Sequence, residues 1–301
     1  MPENRLKIKP AAVCTVLVHR VQAIARTWNS EVPQLPGFRV FRDSFVRQQT
    51  AIRTYARVRN FKNPHTGTTV DAQYWARPPW LEPVKLTIIP RPPQGLRRAE
   101  LGAICGQFTR ARLLTVELAL NFSDDGEVDR AFVLRHGLFG RSRLVEGSAF
   151  GDLRFGTRHS ATMVRCYEKP EMKCYRVELE LHSWWLRENQ LAKPEDVSEL
   201  ASLLLPGRLQ FVRIDWDALS EYLSRKGLPA ETIIREARSR AKSLGRALGY
   251  LRSDVGLCNV HRFLRPLRIN STIEQQLRAW ADAWRRSLAS KPGAKSEQSE
   301  N

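Results

Sequence analysis

The stretch Met163–Leu181, MVRCYEKPEMKCYRVELEL, concentrates residue types that phosphate chemistry uses. A tyrosine (Tyr167) and a lysine (Lys169) precede a Pro-containing turn, and an arginine (Arg176) and two carboxylates (Glu178, Glu180) follow it. Side chains alternate across a strand, so faces follow from counting in twos. In the second segment Tyr175, Val177, Leu179 and Leu181 share one face, and Cys174, Arg176, Glu178, Glu180 and His182 share the other. With a regular hairpin register, Arg165, Tyr167 and Lys169 join the polar face, and Val164 and Cys166 join the apolar one. Carboxylates suit a hard divalent cation, and a lysine and a tyrosine beside them suit attack on a phosphate. The other reading is a solvated sheet face carrying cross-strand ion pairs, as antiparallel sheets often do. Both stay open at this point.

The elements around this face follow from pattern. RLLTVELALNF (112–122) reads as a strand that points Leu114, Val116, Leu118 and Leu120 one way and Thr115, Glu117, Ala119 and Asn121 the other. Its Val-Glu-Leu-x-Leu core recurs in RVELELHS, which predicts two similar halves sharing one antiparallel sheet. Residues 96–110 suit a helix, VKLTII a strand between proline breakers, and GDLRFGTRHSATMVRCYEK two strands around a polar turn. Residues 10–28 read as a helix, although Val13, Val16, Val18 and Val21 favour a strand. After Ser183 a short apolar helix, a last strand (RLQFVRIDW) and three amphipathic helices follow, the third opening on Ser271 as N-cap with Glu274 completing a capping box. The fold class expected is α+β: a central antiparallel sheet of two similar halves, one face open for catalysis and helices on the other, plus a C-terminal helical region. The divisions expected are a basic N-terminal region (1–95), the catalytic sheet domain (96–205), a basic helical DNA-binding region (206–290) and a disordered tail (291–301).

GTRHSATMVRCYEK followed by YRVELEL resembles the Rep_trans-type rolling-circle replication initiators of plasmids and phages, the replication initiation factor family. Gly156, Ser160, Tyr167, Glu168, Lys169, Arg176, Val177 and Glu178 match that family's pattern in order. TVELALNF stands where the family shows an Arg-Ile-Asp-x-x-x-Asp strand, which aligns Glu117 and Asn121 with its two acids. The likeness spans roughly 97–205. It implies a nicking and joining endonuclease that attacks one DNA strand at an origin, leaving a 5′-phosphotyrosine and a free 3′-hydroxyl. The resemblance makes Tyr167 the nucleophile, with Tyr175, on the core face, as the rival. Free tyrosine has a pKa of about 10, so ionising it at pH 7 costs about 4 kcal/mol. Lys169 is expected to offset part of that cost, and Arg176 to clamp a phosphate or orient a carboxylate. Mg²⁺ or Mn²⁺ would be held by Glu117, Glu178 and Glu180. The implied partners are origin DNA, a host helicase and polymerase, and a second copy of the chain. Asn121 departs from the family by removing an acid, which favours a non-cleaving DNA-binding relative as the alternative; an RNA-binding module is a third reading.

Composition agrees with a polyanionic partner. Among 301 residues, 49 Lys and Arg outnumber 31 Asp and Glu, for a net charge of +18, and such a surplus favours nucleic acid through counterion release. The surplus lies in the flanks, 1–62 and 206–291. In the first flank Phe38, Phe41, Phe45, Tyr55 and Phe61 alternate with arginines, as stacking on single-stranded bases would require. In the second, Arg235, Arg238, Lys242 and Arg246 fall along one helical flank as phosphate contacts. The six histidines include no His-x-His pair and the five cysteines no C-x-x-C, which excludes two-histidine relaxase chemistry and zinc fingers. Free thiols and the lack of a long apolar run point to a cytoplasmic chain without a membrane span.

Overall fold

A computed structural model of the chain describes residues 14–27, 32–45, 55–76, 84–123, 126–139, 144–146, 152–157, 159–204 and 209–287. The tail expected over 291–301 lies outside these residues. In chain order the elements are β1 (Cys14–Arg26), β2 (Arg39–Phe45), β3 (Tyr55–Lys62), β4 (Thr69–Ala76), β5 (Val84–Ile89), α1 (Arg98–Cys105) and β6 (Thr109–Ser123). There follow α2 (Arg130–His136), β7 (Gly137–Leu138), β8 (Leu144–Glu146), β9 (Leu153–Phe155), β10 (Thr162–Lys169), β11 (Cys174–His182), α3 (Ser183–Glu188) and α4 (Leu200–Leu204). The C-terminal part holds β12 (Gln210–Ile214), α5 (Trp216–Arg225), α6 (Ala230–Arg240), α7 (Leu244–Ser253), β13 (Leu264–Pro266) and α8 (Ile269–Arg286). The class is α+β, as expected: antiparallel sheet, packed helices and a C-terminal helical region. No helix among the described residues is long and apolar enough to cross a membrane.

The chain forms two compact units, each discontinuous in sequence. One is built chiefly from Leu17–Glu117 and His182–Leu200, with strand order β2-β3-β4-β5-β1-β6. Residues 14–26 are a strand, not part of the helix expected over 10–28. The strand period shows in burial: Val21, Ala23 and Ala25 are buried at every second position, and β1 pairs antiparallel with β5. Leu101, Ile104 and Cys105 on α1 belong to the core of this unit.

The other unit is built chiefly from Leu118–Leu181 and Ala201–Leu277. Its strand order is β6-β11-β10-β9-β8, so β6 lies beside β11. A second sheet, β7-β12-β13, leads into α5, α6 and α7, whose apolar faces close one core around Leu219, Leu223, Ala237, Leu248 and Leu251. RLQFVRIDW is therefore not the last strand, because β13 returns to pair with β12. The long amphipathic run after Pro229 is two helices, α6 and α7, broken at Ala241–Ser243, where Ser243 adopts the extended backbone of an N-cap. Ser271 lies inside α8 and does not cap it. Asn270 is used there instead, its amide both accepting from Phe211 N (2.8 Å) and donating to Phe211 O (2.7 Å) on β12.

Burial pushes the Cys14 and Cys105 thiols up to about 12, and Cys166 well above its ordinary value; Cys174 is also buried, whereas Cys258 is exposed. Thiolate is the reactive form. Iodoacetamide at pH 8 is therefore expected to label Cys258 alone in the native chain and all five cysteines after denaturation. Peptide mapping by mass spectrometry checks this.

Candidate functional site

The β10–β11 hairpin sets the chemistry. Pro170–Met172 form one 3₁₀ turn and Lys173 closes it in the left-handed region (φ 48°). The resulting register is regular: Lys169 faces Cys174, Tyr167 faces Arg176, Arg165 faces Glu178 and Met163 faces Glu180. Residues directly opposite on an antiparallel pair share a face, so Arg165, Tyr167, Lys169, Arg176, Glu178 and Glu180 lie together, as the alternation predicts. Val164, Cys166, Val177 and Leu179 take the other face and are buried.

The polar face is not the open, solvated surface that the alternation suggests. Arg176 is 0% exposed, Glu178 1% and Asn121 6%. Charged groups survive such burial only when paired and hydrogen-bonded, and these are. Arg176 Nε donates to Asn121 Oδ1 at 2.7 Å, Arg176 Nη1 lies 3.4 Å from Glu178 Oε1, and Arg176 Nη2 reaches Met172 Sδ at 3.1 Å. Arg165 Nη2 holds the other carboxylate oxygen, Glu178 Oε2, at 2.9 Å. Tyr167 Oη donates to Glu178 Oε1 at 2.5 Å, the short end of an O–H···O⁻ bond. Two guanidinium groups, Arg165 and Arg176, therefore meet at the Glu178 carboxylate, one on each oxygen.

The tyrosine is not acidified. Burial raises the Tyr167 phenol above its usual range, the Glu178 carboxylate raises it further, and Arg176 opposes both. Lys169, expected to supply the acidifying cation, lies 3.5 Å from Glu171 in the turn. Arg176 and Arg165 are cations at the tyrosine's carboxylate, and the sequence reading gave Arg165 no role. A strict count across the turn, pairing Arg165 with Glu178, carries that signal. Glu180 is half-buried, one repeat along the strand from Glu178. Tyr175 is 4% exposed, and its hydroxyl has no hydrogen-bond partner among the described residues, so no base serves it.

Glu117 is placed in the other unit. It is 1% exposed, is held by Arg20, and lies 3.4 Å from His19 Nδ1. Sequence reasoning missed His19 and Arg20 because 10–28 read as a helix, which hid the strand. His19 and Glu117 offer one nitrogen and one oxygen within reach of a common ion. Donors of this kind can hold a metal, and the imidazole favours Mn²⁺ over Mg²⁺.

Of the candidate DNA contacts, Arg235 and Arg238 lie on α6, Lys242 in the turn and Arg246 on α7, all exposed. Of the N-terminal aromatics, Phe38, Tyr55 and Phe61 are core residues and Phe41 is exposed; the Phe45 side chain lies outside the described residues. Arg57 and Arg59 bind Asp43 at 2.9 and 2.7 Å.

No family model matches the chain, and no curated protein matches it in sequence. Among solved structures, a rolling-circle replication initiator protein from Geobacillus stearothermophilus is similar over 66% of this chain and 87% of its own, at 12% identity and a TM-score of 0.38.

Removing one partner of a buried pair leaves the other charge uncompensated, at a cost of about 3–5 kcal/mol. Arg176→Ala is expected to lose that much in urea unfolding, whereas Tyr167→Phe, which deletes one hydroxyl, should lose about 1 kcal/mol.

Proposed function

We propose that the protein is a DNA nicking and joining enzyme of the replication-initiator kind, with Tyr167 as nucleophile and Glu178 as its proton acceptor. The observation that supports this is the 2.5 Å hydrogen bond from the Tyr167 phenol to a buried carboxylate flanked by two arginines. A phenol with a raised pKa cannot wait as a phenolate at neutral pH, so its proton must leave as it attacks. A carboxylate within hydrogen-bond reach is the geometry of general-base catalysis. The Tyr167 oxygen forms a bond to phosphorus and the phenolic proton passes to Glu178. The bond from phosphorus to the 3′ oxygen breaks, and its electron pair leaves on that oxygen, which takes a proton from solvent water. The products are a 5′-phosphotyrosine and a free 3′-hydroxyl, the end that a polymerase extends behind a helicase. Joining is the same step reversed.

Arg165 and Arg176 have two duties: they hold the buried Glu178 carboxylate in ion pairs, and they offer positive charge to the phosphate. Glu117 with His19 would hold a divalent ion, Mg²⁺ or Mn²⁺. Such an ion polarises a phosphoryl oxygen and stabilises developing charge. The net charge of +18 and the exposed arginines of α6 and α7 support DNA as the substrate.

A second reading, a DNA-binding protein that does not cleave, is favoured by Asn121, which spends its oxygen on Arg176 where the resembling family has an acid. Covalent capture separates the two. Wild type and Tyr167→Phe are incubated with Mn²⁺ and single-stranded DNA from the origin of the replicon that encodes the chain, then denatured. An adduct in wild type that is absent in Tyr167→Phe is expected. No adduct with wild type, despite salt-sensitive DNA binding, would establish the non-cleaving reading.

A further inference from the structure

Four arginines from four elements converge away from the tyrosine cluster. Arg135 at the end of α2, Arg213 on β12, Arg238 on α6 and Arg265 on β13 line one pocket of about 500 Å³, together with His136 and Trp216. Arg213 and Arg265 face each other directly across the β12–β13 ladder. Like charges in that relation repel and destabilise a strand pair, unless something negative lies between them. Two carboxylates also line the pocket. Asp215 is already committed, accepting from Ala218 N as the α5 cap and from Arg265 Nε, each at 3.1 Å. Asp217 is the second, leaving the four guanidinium groups in excess. Burial lowers the His136 pKa, and its Nδ1 lies 3.0 Å from Val212 O, so it adds no charge at neutral pH. A polar, arginine-rich pocket of this size does not suit an apolar ligand; it suits phosphate.

The pocket sits where α6 turns into α7, for Arg238, Ala241 and Leu244 also line it. These helices are joined by three residues, Ala241–Ser243, and share one core with α5. A three-residue connection of this kind is the one a helix–turn–helix uses. In such a pair the start of the second helix enters the major groove and neighbouring groups grip the backbone. Here the exposed residues on the first turns of α7 are Gly245, Arg246 and Gly249, with Lys242 just before them. We infer that the arginine pocket is a phosphate-binding site that takes a backbone phosphate of duplex DNA, seating α7 in the major groove. The inference rests on the reading of the chain as a DNA-acting protein, but on residues that play no part in the tyrosine chemistry.

The test uses the full chain and the exposed residues Arg135 and Arg213. Arg135→Gln and Arg213→Gln are assayed by fluorescence anisotropy with origin duplex at several salt concentrations, with thermal unfolding as the fold control. Each is expected to weaken duplex binding roughly tenfold and to lower the salt slope by about one, the signature of a lost phosphate contact. The adduct formed with single-stranded DNA should not change. Duplex affinity and salt slope unaltered in both variants would overturn the inference. A deoxynucleoside triphosphate that binds wild type but not Arg213→Gln, while duplex affinity is unaltered, would overturn DNA as the source of the phosphate. Absence of the tyrosine adduct would refute catalysis and leave the duplex result standing.

Discussion

Arg176 is the constraint around which the hairpin is organised. A fully buried guanidinium cannot be neutralised, so every packing choice nearby must satisfy its fork. Asn121 takes Nε, Glu178 takes Nη1 and Met172 sits against Nη2. Glu178, buried in turn, needs more than one positive partner, and Arg165 supplies the second. Only then can the Tyr167 hydroxyl reach the carboxylate. The order of dependence runs from register to arginine, to carboxylate, to tyrosine. A slip of one residue would send all of them to the other face.

That register was legible in the sequence, because period two and a short turn fix it together. The strands β5, β6, β9, β10 and β11 and the helix α1 were legible for similar reasons of alternation or helical spacing. What lay beyond the sequence was cover. Counting in twos says which side chains share a face and nothing about what lies over it, so Glu178 and Arg176 read equally well as solvated surface. Lys169 looked like the tyrosine's cation by proximity in sequence, but Glu171 in the turn takes it. β1 was misread because its polar residues, His19 and Arg20, interrupt the valine alternation, and those two are the partners of Glu117. The break between α6 and α7 is signalled only by Ser243, a weak stop within a continuous amphipathic pattern.

Burial also changes how the tyrosine must work. A surface tyrosine beside a lysine would act through a lowered pKa. Tyr167 is pushed the other way, by desolvation and by Glu178. The same carboxylate that makes the phenolate unfavourable is the group able to receive its proton. Raised acidity and general-base assistance are thus alternative solutions, and the residues around Tyr167 suit the second. Asn121 fits that division of labour: a neutral amide satisfies Arg176 without competing with Glu178 for its charge.

The most direct test of this account is the single-turnover rate of adduct formation by Glu178→Gln on single-stranded origin DNA with Mn²⁺, alongside its urea unfolding curve. A general base of this kind contributes about 10²–10⁴-fold. The account predicts a rate loss of that order in a chain that remains folded. Adduct formation at the wild-type rate in folded Glu178→Gln would contradict it, and would leave the carboxylate as a structural partner of Arg176.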